Sequence, residues 1–246
     1  FVEKNENAQV KATFEGEEAT KVIEVVDLMN SYSIKEIQGE SESSPYLNKE
    51  VSVNGIITAV CPNGFFIQDA SEEWCGIFVI GQLNNNFLVG DGISVIGKVE
   101  ENQGNTQISE VTDYSAQNLN YQIDSLLIPA GESLTEKHEG MLVSVHGLKA
   151  KELTSSYNDN GEWLLEGENN LEMIIDDMMY KHEPVVGDFY RVTGVVNFSS
   201  GNYKLEPRSD TDVVNLTSVD IKEFEIGLFE INLYPNPTQG NVNLYM

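Results

Sequence analysis

The sequence predicts an all-β protein: two tandem OB-like five-stranded barrels followed by a short C-terminal β fragment. Three observations predict it. The first is an internal repeat, in which VGDGISVIGKVEENQGNTQISEVTDYSAQNL from Val89 aligns without gaps on VGDFYRVTGVVNFSSGNYKLEPRSDTDVVNL from Val186, an offset of 97 residues. Gly90-Asp91 matches Gly187-Asp188, Gly97 matches Gly194, Gly104-Asn105 matches Gly201-Asn202, and Asp113 matches Asp210. Turns and tightly coiled strands favour glycine at such places. Upstream, VSVNG from Val51 pairs with VSVHG from Val143 at an offset of 92 residues, so the length difference falls in loops. The second observation is that each copy divides into five short runs bounded by turn residues. The third is period-two alternation, at Val51/Val53 against Ser52/Asn54 and at Leu171/Met173/Ile175 against Glu172/Asp176, which marks half-buried strands.

In chain order, residues 1–32 form an N-terminal segment in which Val22, Val25, Val26 and Met29 have helical spacing, while the β-branched content of KVIEVVDLMNSY suits a strand equally. The first barrel spans 33–119, with strands over Glu50–Val60, Gly64–Asp69, Gly76–Gly81, Gly92–Glu101 and Thr106–Thr112. The second spans 120–217, with strands over Met141–Leu153, Trp163–Glu168, Leu171–Asp177, Phe189–Phe198 and Tyr203–Arg208. A long first strand with a central Gly55 or Gly147 can bend to serve both sides of a small closed sheet, and five strands in that order suggest the OB barrel. Residues 218–246 form a linker and the terminal β fragment.

Lys plus Arg number 14 against 40 for Asp plus Glu, a net charge of −26. Tight nonspecific binding to a phosphate backbone draws on cations that release counterions, and adhesion to anionic membranes needs cations too, so both are disfavoured. No run approaches 18 apolar residues, so no helical membrane insertion is expected. The chain opens on Phe1 instead of Met, so residue 1 is not read as a translation start, which leaves room for an upstream leader or further domain.

Ligand candidates are the aromatic and basic residues of the barrels, since an OB face holds single strands by stacking and by phosphate contacts. Copy one offers Phe65, Phe66, Trp74 and Phe78, with Lys49 and Lys98 nearby. Copy two offers Tyr157, Trp163, Tyr190 and Tyr203 with Lys149, Lys151, Arg191 and Lys204. Alternation in small barrels assigns about half of such rings to the core. The SSYNDNGEW segment places Asn158, Asp159, Asn160 and Glu162 together as oxygen ligands for calcium, although Asn-Gly there reads first as a hairpin tip. Asp210 and Asp212 read as turn acids. His138, His146 and His182 are scattered, and no nucleophile, base and orienting acid assemble from them, so a non-catalytic protein without a resident cofactor is expected.

The run SIKEIQGESESSPYLNKEVSVNGIITAVCPNGFFIQD, with GIFVIG and VGDGISVIGKV, resembles the OB-type domain that precedes the catalytic domain in secreted bacterial nucleases of the endonuclease/exonuclease/phosphatase group. The resemblance covers about residues 33–113 and implies an accessory binding module, the chemistry of that family residing in a separate domain. FEINLYPNPTQGNVNLYM resembles the opening of the C-terminal sorting domain of type IX secretion clients of Bacteroidota, through Tyr234, Pro235, Asn236, Pro237, Thr238 and Gly240. That resemblance implies export to the cell surface or medium by the type IX machinery. The expected function is a secreted or cell-surface binding module with single-stranded nucleic acid as ligand. The alternatives are a structural or adhesion protein that binds protein or glycan, and a fragment of a larger secreted hydrolase.

Only Cys61 and Cys75 are present. A six-residue strand between them would separate them by about 20 Å, far beyond the ~7 Å between Cα atoms that a disulfide tolerates. Alkylation of the unfolded, unreduced chain should therefore label both thiols by mass; an unlabelled product would overturn this.

Overall fold

The computed structural model describes residues 6–14, 17–25, 31–81, 87–151 and 161–217, the first two stretches as backbone. Strands β1 (Glu6–Phe14) and β2 (Glu17–Val25) pair antiparallel from Glu6↔Val25 to Phe14↔Glu17. Between the helical and extended readings of residues 21–25, the strand prevails, and the β-branched residues there fit a pleated ladder. Residues 26–30, 82–86 and 152–160, together with the expected C-terminal β fragment in 218–246, lie outside the described residues.

Barrel one is built from β3 (Ser31–Tyr32), β4 (Glu50–Cys61), β5 (Gly64–Gln68), β6 (Gly76–Ile80), β7 (Gly92–Asn102) and β8 (Asn105–Gln117). Their order is β3-β4-β5-β6-β8-β7, and the β4–β7 pairing returns the ladder to its first long strand. Barrel two repeats the arrangement with β9 (Leu126–Ile128), β10 (Leu142–Ala150), β11 (Trp163–Glu166), β12 (Glu172–Ile175), β13 (Phe189–Ser199), β14 (Asn202–Glu206) and β15 (Val213–Asn215). Here β13 pairs with β10, again closing the ring of pairings. In each copy the third and fifth strands run parallel while the other members of the ring are antiparallel. The repeat extends upstream of what the sequence shows: β3 lies parallel to β4 at Ser31↔Ser52, and β9 lies parallel to β10 at Leu127↔Ser144.

The bend in the first long strand has a different origin in each copy. In β10 the register shifts between His146 and Leu148, at Gly147 with φ +70°. In β4 it shifts between Ile57 and Ala59, so Thr58, and not the expected Gly55, carries the bulge. A bulge adds a residue to one side of a ladder and coils the strand locally.

One helix, α1 (Ile34–Gln38), contributes to the core of barrel one. Ser33 caps it: its Oγ accepts the Glu36 N–H at 3.2 Å while Glu36 Oε2 accepts the Ser33 N–H at 2.8 Å. Ile34 and Ile37 are fully buried among Val51, Val53, Ile57, Phe65, Ile67 and Val79. The core of barrel two gathers Met141, Val143, Val145, Leu148, Trp163, Leu165, Ile175, Tyr190 and Leu205.

A third buried cluster, Ala59 and Phe66 from barrel one with Leu142 and Val195 from barrel two, joins the barrels, and Cys61, Phe78, Met178 and Met179 pack around it. Polar contacts flank it. The Trp74 N–H donates to Lys137 O at 2.8 Å, the Leu142 N–H to Gln68 Oε1 at 2.8 Å, and Arg208 Nη1 to Thr58 O at 3.0 Å. At the closest point a Cβ on Gly76 would lie 2.3 Å from the carbonyl carbon of Gly140, and one on Gly140 2.5 Å from the Ile77 nitrogen. The barrels meet backbone to backbone there, which neither position permits with a side chain.

Gly76→Ala should therefore destabilise the chain by about 1–3 kcal/mol by overpacking, and Phe66→Ala by about 3–5 kcal/mol by opening a cavity, as read by urea unfolding. A Gly76→Ala loss within experimental error would mean that the barrels separate freely.

Candidate functional site

On the expected OB barrel the ligand face would be the outer side of strands two and three with their flanking loops. Barrel one presents Phe66 and Phe78 there, their rings 4.8 Å apart, but both lie in the cluster that barrel two covers. Phe65, one residue over, points into the barrel core. Trp74 is half-buried at φ +71°, its backbone held by Lys137. The expectation that Phe65 and Phe66 offer stacking faces is thus corrected: one ring fills the core, the other the seam.

Barrel two departs from expectation for a different reason. Trp163 is buried against Tyr190 at 5.4 Å and His182 at 5.6 Å between ring centroids, so it too is core and not a platform. Tyr203 is half-buried, packs on Phe198 at 4.7 Å and donates its hydroxyl to Glu136 Oε2. Tyr157, with Asn158, Asp159 and Asn160 of the calcium reading, lies outside the described residues. The cations on this face are neutralised. Lys151 pairs with Glu166 at 3.2 Å and Glu172, while the buried Lys204 pairs with Glu162 and, at 2.8 Å, with Asp176. Four carboxylates around two ammonium groups leave the face negative, and Glu162, spoken for by Lys204, is not a free calcium ligand.

Among the described residues, Lys49, Lys149 and Arg191 are the cations without a carboxylate partner, and Lys49 lies over the Tyr46 ring. Lys149 and Arg191 share an outer strip of β10 and β13, where the ladder pairs His146 with Arg191 and Lys149 with Phe189. All four are exposed, Phe189 by 46%. Lys49 and Lys98 do not join them, and Lys98 is held by Glu100 at 3.4 Å and Glu110 at 3.3 Å. A second recess, about 400 Å³, lies on barrel one between β4, β7 and the end of β8. Asn54, Gln68, Asp69, Ser94, Ser115 and Gln117 give it polar walls beside Ile56 and Leu119.

Glu73, Glu132 and His138 gather metal-binding atoms within 4.8 Å of one another, but the geometry does not suit an ion. His138 Nδ1 accepts the Thr135 N–H at 3.2 Å, which leaves the ring proton on Nε2, the atom that faces Glu132 at 4.0 Å. A ligating histidine presents the opposite tautomer, donating through its remote nitrogen. Lys137 Nζ moreover sits 2.8 Å from Glu73 and 2.7 Å from Glu132. The group is an ion-pair bridge between the barrels. Burial pushes the His138 pKa down and keeps the ring neutral. Asp212 is likewise occupied, by Arg208 Nε at 2.8 Å and Nη2 at 2.9 Å.

Cys61 and Cys75 are free thiols at opposite ends of β5. Burial pushes the Cys61 thiol up and that of Cys75 to about 11, so neither ionises readily at neutral pH. The junction also holds buried carboxyls that sequence reasoning missed. Burial, with Asp176 nearby, raises Glu206 to about 8, and burial beside Glu136 and Glu101 raises Glu139 to about 9. The one available signal was the Glu-Lys-His-Glu run before β10, which reads as a polar loop.

Comparison with protein-family models and with curated proteins finds no match for the chain. The class that the fold defines is an all-β chain of two strand rings joined through an apolar seam.

Glu206 takes up a proton on folding, since its native pKa lies above the ordinary 4.5. Its contribution to stability is complete below about pH 4.5 and lost as pH climbs toward about 8. Glu206→Gln should flatten the fall in Tm between these pH values and exceed the parent at pH 8; parallel profiles for the two proteins would refute the assignment.

Proposed function

We propose that this chain is a non-catalytic binding module, secreted or displayed on the cell surface beside an extracellular nuclease, and that it holds single-stranded nucleic acid on barrel two. The observation that carries the reading is the strip of His146, Lys149, Phe189 and Arg191, in which two unpaired cations adjoin an exposed aromatic ring. A flexible strand can stack a base on Phe189 while Lys149 and Arg191 take adjacent phosphates. With two cations against a net charge of −26, attachment is weak and strongly salt-dependent. The family resemblance of residues 33–113 supports the accessory role, and the Tyr234–Gly240 motif supports export by the type IX machinery.

A glycan is the second reading, favoured by the recess on barrel one. Its walls set amides, hydroxyls and one carboxylate beside the larger apolar surface of Ile56, Ile93 and Leu119, without a cation, a lining that suits a neutral sugar ring better than a phosphate. Asn54 Nδ2 is already spent on Ser31 Oγ at 2.6 Å, which leaves Ser94, Ser115 and Gln117 to meet such a ligand.

Fluorescence titration with a labelled single-stranded oligonucleotide at low and moderate salt tests the first reading. Binding tighter than about 100 μM is expected at low salt. The Lys149→Ala/Arg191→Ala double variant should weaken it and reduce the slope of log affinity against log salt by about 1.4, at ~0.7 for each phosphate no longer neutralised. Absence of binding at low salt, or identical slopes, overturns the nucleic-acid reading, and retention on a neutral polysaccharide abolished by Gln117→Ala would then establish the second.

A further inference from the structure

The strip on barrel two and the recess on barrel one occupy the same place in the repeat. In barrel two the ladder sets His146 opposite Arg191 and Lys149 opposite Phe189; in barrel one it sets Asn54 opposite Ser94 and Ile56 opposite Gly92. The 97-residue offset carries Gly92 to Phe189 and Ser94 to Arg191. The backbone bonds beside them match as well, the Gly90 N–H donating to Ile57 O and the Gly187 N–H to Ala150 O, both at 2.8 Å. A third strand completes the surface of barrel one, where Ser115 lies opposite Ser94 and Gln117 opposite Gly92. Their neighbours Val53, Ile93, Val95 and Tyr114 pack into the core, so alternation turns these residues to the outside. Two rows therefore cross β4, β7 and β8 on the outer face: Asn54, Ser94 and Ser115 in one, Ile56, Gly92 and Gln117 in the other.

Gly92 leaves the middle of the second row without a side chain. Its backbone does not call for glycine, since its φ lies outside the left-handed region. Nor does packing demand it as it does at Gly76 and Gly140. The nearest atom to a Cβ at Gly92 is Leu119 Cδ1 at 2.6 Å, the end of an exposed and flexible side chain, with Ile56 Cδ1 at 3.8 Å. Barrel two carries a phenylalanine at the matching position. What glycine supplies at this place is the opening itself. The methyls of Leu119 and Ile56 that lean toward it give the recess an apolar floor. Beside the floor, the side chains of Ser94, Ser115 and Gln117 make no hydrogen bond among the described residues. The lining includes one carboxylate, Asp69, whose Oδ2 accepts the Ile34 N–H at 2.8 Å, and neither lysine nor arginine.

We propose that the recess of about 400 Å³ is the subsite for one neutral sugar ring of a glycan, and that the missing side chain at Gly92 is what admits the ring. The proposal rests on the glycan reading of barrel one and is independent of what barrel two holds. A pyranose joins a face of C–H groups to a rim of hydroxyls. The C–H face lies on the Ile56 and Leu119 methyls, and the hydroxyls reach Ser94, Ser115 and Gln117, each of which both donates and accepts. Asp69, with no cation beside it in the lining, repels a uronate, sulfate or phosphate. One template thus yields two ligand faces. Barrel two fills the row with Phe189 and adds Lys149 and Arg191, whereas barrel one leaves the row open and without a cation.

Calorimetric titration of the full chain with maltohexaose, cellohexaose and, as the acidic contrast, hexagalacturonate tests the subsite. At least one neutral hexaose should bind at about 1 mM or tighter, and hexagalacturonate should not bind. Gly92→Phe, which installs the residue of barrel two, should weaken the neutral sugar by about ten-fold or more while Tm stays near that of the parent. Ser94→Ala/Ser115→Ala, which keeps the recess open, should weaken it by about ten-fold through two lost hydrogen bonds. Glu183→Gln, a change at an exposed acid, should bind as the parent does. Absence of binding by both neutral hexaoses overturns the glycan reading and the proposal together. Neutral binding that survives Gly92→Phe overturns the proposal alone and moves the glycan to another face, and equal binding of hexagalacturonate overturns the neutral ligand class. Should Gly92→Phe lower Tm, the double serine variant decides: affinity equal to the parent's refutes the subsite.

Discussion

The contact of Gly76 with Gly140 is the constraint from which the rest of the molecule follows. Two backbones can approach that closely only if neither carries a side chain, and their approach brings Phe66 and Ala59 onto Leu142 and Val195. Burying those groups supplies the hydrophobic drive for association, while the flanking bonds from Leu142 to Gln68 and from Arg208 to Thr58 fix the relative rotation of the barrels. The cost is functional as well as energetic: the outer face of β5 and β6, the natural ligand face of a small barrel of this topology, is spent on the neighbouring barrel.

That spending rearranges the chemistry left for ligands. In an acidic chain most lysines find a carboxylate, and Lys151 and Lys204 do so on the equivalent face of barrel two. The buried Lys204 pairs contribute less to stability than their Coulomb energy suggests, because desolvation offsets it, and the more exposed Lys151 pairs contribute little. They do fix the charge of the surface, and a face left negative in this way repels phosphate. What remains open is the β10–β13 strip, where register places Arg191 opposite His146 and Phe189 opposite Lys149. The same closeness that uses up the face also buries carboxyls at the junction, so that Glu139 and Glu206 keep protons that they would lose in water.

Strand positions were legible because their causes are local. Alternation at Val51/Val53 and turn glycines such as Gly104 and Gly201 fix pleat and reversal within a few residues, and the observed β4, β7, β10 and β13 begin within a residue of the expected starts. The helix α1 was also encoded locally, by Ser33 and Glu36 three residues apart, a capping box that stands out only once the intervening Ile34 is known to be buried. The ligand residues were not legible. Phe65 and Phe66 are neighbours of one chemistry, yet one faces inward and the other meets Leu142 of the second barrel, and Lys149 and Lys151 are two apart, yet Glu166, opposite Lys149 in the ladder, gives its carboxylate to Lys151.

The amino-acid sequence by itself determined an acidic, all-β chain with a repeated five-strand unit, since composition, period-two patterning and turn chemistry act over short distances. Only the tertiary structure decided which repeat covers which, that the seam closes on two glycines, and which aromatic and charged groups stay exposed to solvent. Those outcomes depend on the packing of surfaces far apart in the chain, and no window of sequence holds both sides of such a contact.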